Sequence, residues 1–124
     1  RIATLINEAR VAEGAPALTL SAPLSAAARD HSLDMATHSY FGHVGSDGSR
    51  PGERMAAAGY AWCACGENIA AGYRSAEEVV AAWLESDGHR KTMLSATYLD
   101  MGVGYAYGVG SIYGAYYTVD FGAR

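Results

Sequence analysis

Residues 101–121 read MGVGYAYGVGSIYGAYYTVDF, and this stretch decides the fold class. Met101, Val103, Tyr105 and Tyr107 alternate with Gly102, Gly104 and Ala106. A period of two is the mark of a strand. Residues 108–114 contain three glycines and break the pattern. Ala115–Phe121 is then rich in aromatic and β-branched residues and reads as a second strand. The two predict an antiparallel hairpin.

Upstream the period changes. Ile2, Leu5, Ile6 and Ala9 fall at helical spacing, and Gly14 and Pro16 end that pattern, so a helix is expected over 2–12. Residues 17–20 read as a connector. Ser21 is a good N-cap and Pro23 suits a first helical turn. A second helix follows, ending near Thr37 or His38. Residues 40–50, YFGHVGSDGSR, are loop. Pro51 opens a short helix closed by Gly59. Residues 60–73 read as irregular chain with at most a short strand. Ser75 with Glu78 predicts a capping box for a helix over 76–86, with Val79, Val80, Trp83 and Leu84 as its buried stripe. Asp87 and Gly88 break it, and HRKTML adds one further turn. Helices first and strands last predict an α+β domain with helices packed on an antiparallel sheet.

The 124 residues suit one domain, 1–124. Half of them are hydrophobic and 18% are charged, which is the composition of a packed globule. The net charge is −4 and the nine basic residues are scattered, so no basic face exists to follow a phosphate backbone and nucleic acid is not an expected partner. No apolar run reaches the roughly 18 residues of a membrane span. The chain opens at Arg1 inside a helical pattern, which reads as a mature domain without a leader. A monomer is expected.

Cys63 and Cys65 are separated by one residue. That is neither a zinc ribbon nor a C-x-x-C redox motif. Two free thiols beside a turn, a strained local disulfide and a cross-link between chains all remain open.

Four histidines carry most of the chemistry. His43 lies in the glycine-flanked loop and His89 follows the Asp-Gly break, positions from which a ring can point into a cleft. His31 lies on the apolar side of its helix and reads as a core residue or a support for others. His38 reads as a capping or exposed residue. Glu67 sits beside an apolar pair, so if buried it needs a partner. A Glu–His pair would orient the ring; backbone N–H groups are the plainer alternative. G-x-S-x-G, H-E-x-x-H and phosphate-binding glycine motifs are absent. His43, His89 and Glu67 are the one set of two imidazoles and a carboxylate that can be assembled, and such a set would take a divalent ion such as Zn²⁺ with water in the fourth place.

In order along the chain come HSLDMATHSYFGHVGSDG, PGERMAAAGY, GENIA, AWLESDGHRKTML, GVGYAYG and YYTVDFG. Together they resemble the bacterial form of the CAP (cysteine-rich secretory, antigen 5, pathogenesis-related 1; also SCP-like) superfamily, over essentially the whole chain. The resemblance implies a three-layer α-β-α sandwich around a small central antiparallel sheet, and a secreted or envelope location. It implies a cleft in which His43 and Glu67 match the first histidine and first glutamate. Ser86 stands where the second glutamate is expected. Glu85 is one residue away, about 100° around a helix. Tyr116 stands where the second histidine is expected, and His89 of the GHR motif is expected to reach the cleft instead. Family functions are extracellular, so a small molecule, a lipid or an extracellular protein is the expected partner. A non-enzymatic binding domain leads. A hydrolase acting on peptide or cell-wall material, with or without metal, and a structural or adhesion module of an envelope protein are the competing functions.

Overall fold

The computed structural model describes all 124 residues. Helix α1 (Ile2–Ala12) buries Ile2, Ile6 and Arg10, one per turn along a single stripe. A two-residue strand, β1 (Thr19–Leu20), precedes α2 (Ala22–His38). Ser21 Oγ accepts from Leu24 N at 3.3 Å, as an N-cap should, and Ser39 ends the helix in the left-handed region. Then come α3 (Pro51–Ala57), β2 (Ala64–Ala71), α4 (Ala76–Glu85), α5 (Asp87–Leu94), β3 (Asp100–Tyr107) and β4 (Ala115–Ala123). At the start of α4, Ser75 Oγ accepts from Glu78 N at 3.1 Å. The Glu78 carboxylate reaches back one residue further than a capping box requires, to Arg74 N at 2.8 Å.

The sheet order is β1-β3-β4-β2. β4 pairs antiparallel with both β2 and β3, while β1 pairs parallel with β3, so the sheet is mixed through this one short edge. β2 is the main departure from the sequence reading. Eight regular residues stand where irregular chain with at most a short strand was expected. ACGENIAA shows no apolar alternation because one face of this strand carries a glutamate into a buried polar cluster and the other carries an asparagine.

Helix α2 lies across β3 and β4 on one side of the sheet. Glycines make that contact possible. A Cβ on Gly102 would lie 2.0 Å from the backbone of Ser25, and one on Gly104 would lie 2.2 Å from that of Ala28. Only a strand without side chains there lets α2 sit so close. On the opposite side α1, α4 and α5 close over the main core, which includes Ile6, Val79, Trp83, Met93, Met101, Val119 and Phe121. Trp83 is 2% exposed and its indole N–H donates to Ile69 O at 3.0 Å. The result is the expected three-layer sandwich. No helix is long and apolar enough to cross a membrane. Cys63 and Cys65 are free thiols, the first exposed and the second half-buried.

Candidate functional site

β2 is a free edge of the sheet, and the site is built on it. Alternation sends Glu67 to the α2 side and Asn68 to the α4–α5 side. Each then holds the histidine of its own layer. Glu67 Oε1 accepts from His43 Nδ1 at 2.9 Å. Asn68 Nδ2 donates to His89 O at 3.0 Å. The Glu-Asn pair of GENIA is therefore a double anchor, one residue for each layer.

Glu67 is the hub of the α2 side. Its side chain is 1% exposed. Arg54 Nη2 donates to Oε2 at 2.7 Å, and His31 Nε2 lies 3.9 Å from Oε1. Burial alone would raise the carboxyl. The hydrogen bond from His43 and the charge of Arg54 outweigh it and hold Glu67 at about 2. Arg54 also donates through Nη1 to His43 O at 2.8 Å and Ser49 O at 3.0 Å, and so fixes the loop that presents His43.

Two more groups tie that loop down. His31 Nε2 donates to Gly42 O at 2.7 Å, which leaves Nδ1 as a buried acceptor without a partner. Burial, stronger than the pull of Glu67, pushes His31 toward the neutral form. Asp34 accepts from Tyr40 Oη, from Ser46 N at 2.8 Å and from Ser46 Oγ. These bonds, and His38 at 3.0 Å, overcome burial and hold Asp34 at about 2. His31 is thus the support that its place on α2 suggested, and His38 is exposed beside Asp34.

On the other side, Ser86 joins α4 to α5, and its Oγ lies 2.8 Å from His89 Nδ1. Burial lowers the His89 pKa. The two histidines are thus held against β2 from opposite layers. Beside His89 a groove of about 290 Å³ is lined by Phe41, Tyr73, Ala82, Trp83, Ser86 and Tyr113 among others. Phe41 and Tyr113 meet edge to face with ring centroids 6.0 Å apart. A larger hollow of about 530 Å³ lies behind His31 and Arg54. Two of its carboxylates, Asp34 and Glu53, are engaged in loop and helix-start bonds.

Tyr116 is placed differently from the other expected cleft residues. It is fully buried among Met35, Ala36 and Ile69, and its hydroxyl accepts from Tyr113 N at 3.3 Å. It does not line the groove itself but packs behind residues that do, Ile69 and Tyr113 among them.

The expected metal set does not fit these positions. No three His, Cys, Asp or Glu side chains are arranged to hold an ion. Glu67 already accepts from the Arg54 guanidinium on one oxygen and from His43 Nδ1 on the other, so an ion placed there would compete with the bonds that hold the site together. Only the two histidine Nε2 atoms remain.

Sequence reasoning missed Arg54, Asn68 and Asp120. The signal for Arg54 was general: a buried carboxylate must find a cation or donors. Which of eight arginines supplied it was set by the fold.

The cysteine-rich secretory protein (CAP) family matches residues 3–121. The uncharacterized protein YkwD of Bacillus subtilis is 38% identical over 105 residues, which is 85% of this chain and 41% of YkwD. The uncharacterized membrane protein YlbC of the same organism is 36% identical over 104 residues, 84% of this chain and 30% of YlbC. The chain therefore spans less than half the length of either. An extracellular SCP-domain protein of Bacillus anthracis superposes with a TM-score of 0.89 at 30% identity, over 99% of this chain and 39% of that one. An outer surface protein of Borrelia burgdorferi shares the fold with a TM-score of 0.90 at 20% identity, over 99% and 90%. With the match running through nearly all of the sandwich, from α1 into β4, the chain belongs to the CAP family.

Proposed function

We propose that this is a secreted or envelope-located, single-domain (1–124) binding module. Its cleft takes an amphipathic small molecule, with the apolar part in the groove of Phe41, Tyr73, Ala82 and Tyr113 and the polar end at His43 and His89. The observation that carries the reading is the groove itself: eight of its ten lining residues are hydrophobic, and its polar residues, Ser86 and His89, sit together. A mostly apolar concavity with a few convergent polar groups is the usual form of a small-molecule site. The names of similar proteins, an extracellular protein and an outer surface protein, support the location. Titration with a fluorescent fatty acid tests the ligand class. Saturable binding weakened at least about tenfold by Tyr113→Ala and by His43→Ala is expected, a loss of about 1.4 kcal/mol each. Non-saturable binding, or binding indifferent to both variants, overturns it.

One observation favours a second reading, hydrolysis. Ser86 Oγ lies 2.8 Å from His89 Nδ1, and burial favours the neutral ring that a general base needs. No carboxylate orients His89, however, and three-residue spacing at a helix start brings such groups together without catalytic purpose. Labelling by a fluorophosphonate, lost in Ser86→Ala, would establish this reading; no labelling above that of Ser86→Ala excludes a serine nucleophile here.

A further inference from the structure

Asp120 is the least expected residue in the molecule. It stands on β4 directly opposite Glu67, on the same face of the sheet. It is 0% exposed, and neither of its carboxyl oxygens has a protein donor. An ionised carboxylate cannot be buried in that state at tolerable cost. The charged and titratable groups around it are few. β2 offers Glu67 and the Cys65 thiol, α3 offers Arg54, and α2 offers His31, whose N–H is spent on Gly42 O. β3 offers only Gly102. One guanidinium thus faces two carboxyl groups, and it bonds Glu67.

We propose that Asp120 is a neutral carboxylic acid that donates its proton to Glu67, and that it is the positioning residue of the Glu67–His43 pair. The proton lies on Asp120, the acceptor is a Glu67 oxygen, and no bond other than this hydrogen bond forms. With Asp120 neutral, the pair carries one negative charge, on Glu67, matched by Arg54. His43 can then stay neutral, with its proton on Nδ1 toward Glu67 and its Nε2 lone pair toward the cleft. Two ionised carboxyls side by side would push Glu67 away or draw a second proton onto His43. Burial first, then the neighbouring Glu67, raises Asp120 well above the carboxylate range, in keeping with this arrangement. The importance of Asp120 for ligand binding rests on the proposed cleft; the location of its proton does not.

The test uses the full chain after chelator treatment, with ¹³C-labelled aspartate carboxyls and ¹⁵N-labelled histidine. The Asp120 carbon, assigned through Asp120→Asn, is expected to keep its carboxylic-acid shift as pH rises through the ordinary carboxylate range near about 4. A carbon that titrates in that range overturns the proposal. Asp120→Asn keeps a donor to Glu67 and should keep His43 protonated on Nδ1. Asp120→Ala and Glu67→Gln should each mix the two His43 tautomers. A purely structural Asp120 would leave the tautomer alone, so an unchanged tautomer in Asp120→Ala, or one disturbed by Asp120→Asn as much as by Glu67→Gln, also overturns it. If the asparagine variant does not fold, labelling aspartate in Asp120→Glu supplies the assignment by loss of one signal, and the carbon titration of the parent decides. If the proton is found on Asp120 but the fatty-acid probe does not bind, the binding reading falls and this one stands.

Discussion

The two faces of the sheet are built on opposite principles. The face under α1, α4 and α5 meets a cluster of thirteen buried hydrophobic residues. The face under α2 carries Glu67, Thr118 and Asp120, with Ser32 and His31 above them, all buried. Ser32 Oγ donates to Gly104 O at 3.0 Å and meets Thr118 Oγ1 at 2.8 Å. The larger apolar cluster lies on the first face and the Glu67 polar cluster on the second. Burying polar groups adds little net stability, because each hydrogen bond replaces one to water. It does fix geometry, since a buried group left unpartnered is costly. The polar face therefore holds the histidine loop in one place, and the apolar face supplies the stability that allows it.

The largest expected effect breaks the apolar face. Trp83→Ala removes the biggest fully buried side chain and strands Ile69 O, so a loss of about 3–5 kcal/mol is expected in urea unfolding. A loss under about 1 kcal/mol would show that this face is not the main store of stability. Next comes the hub of the polar face. Glu67→Ala leaves Arg54 without its carboxylate and should cost about 3 kcal/mol. Glu67→Gln, which keeps the shape, should cost less, and equal costs would mean that charge is not what pairs them.

The third expectation concerns pH. Glu67 is held at about 2, below the ordinary glutamate value of about 4.3. Its contribution is then fully present above the ordinary value and is lost as pH falls toward about 2. Parent stability should decline through that window, and Glu67→Gln should flatten the decline. Parallel curves for the two proteins would place the acid sensitivity elsewhere. The smallest effect is at the rim. The His43 side chain is half exposed, so His43→Ala should change stability by about 1 kcal/mol or less while weakening the fatty-acid probe. A larger loss of stability would make His43 part of the fold.

Legibility followed the same division. Elements with one apolar side were readable: Ile2 and Ile6 on α1, Val79, Val80 and Trp83 on α4, and the alternation from Met101 to Tyr107. β2 was not, because Glu67 and Asn68 break the apolar alternation on both faces. The glycines of β3 were read as spacing within a strand, but their role is to admit the α2 backbone. His43 and Glu67 were recognisable as a pair. Tyr116 was placed in the cleft by position in the chain, whereas packing took it into the core beneath Tyr113.

The sequence by itself determined the hairpin, the family and most of the helices, because periodicity and motif spacing are local properties of the chain; Asp87 and Gly88, read as a break, instead open α5 directly after Ser86 ends α4. Tertiary structure alone decided that Arg54 serves Glu67, that Asn68 holds the His89 backbone, and that Asp120 faces Glu67 across two paired strands. Those contacts join residues 13, 21 and 53 positions apart. A buried charge obliges the fold to find a partner, and nothing along the chain says which one lies within reach.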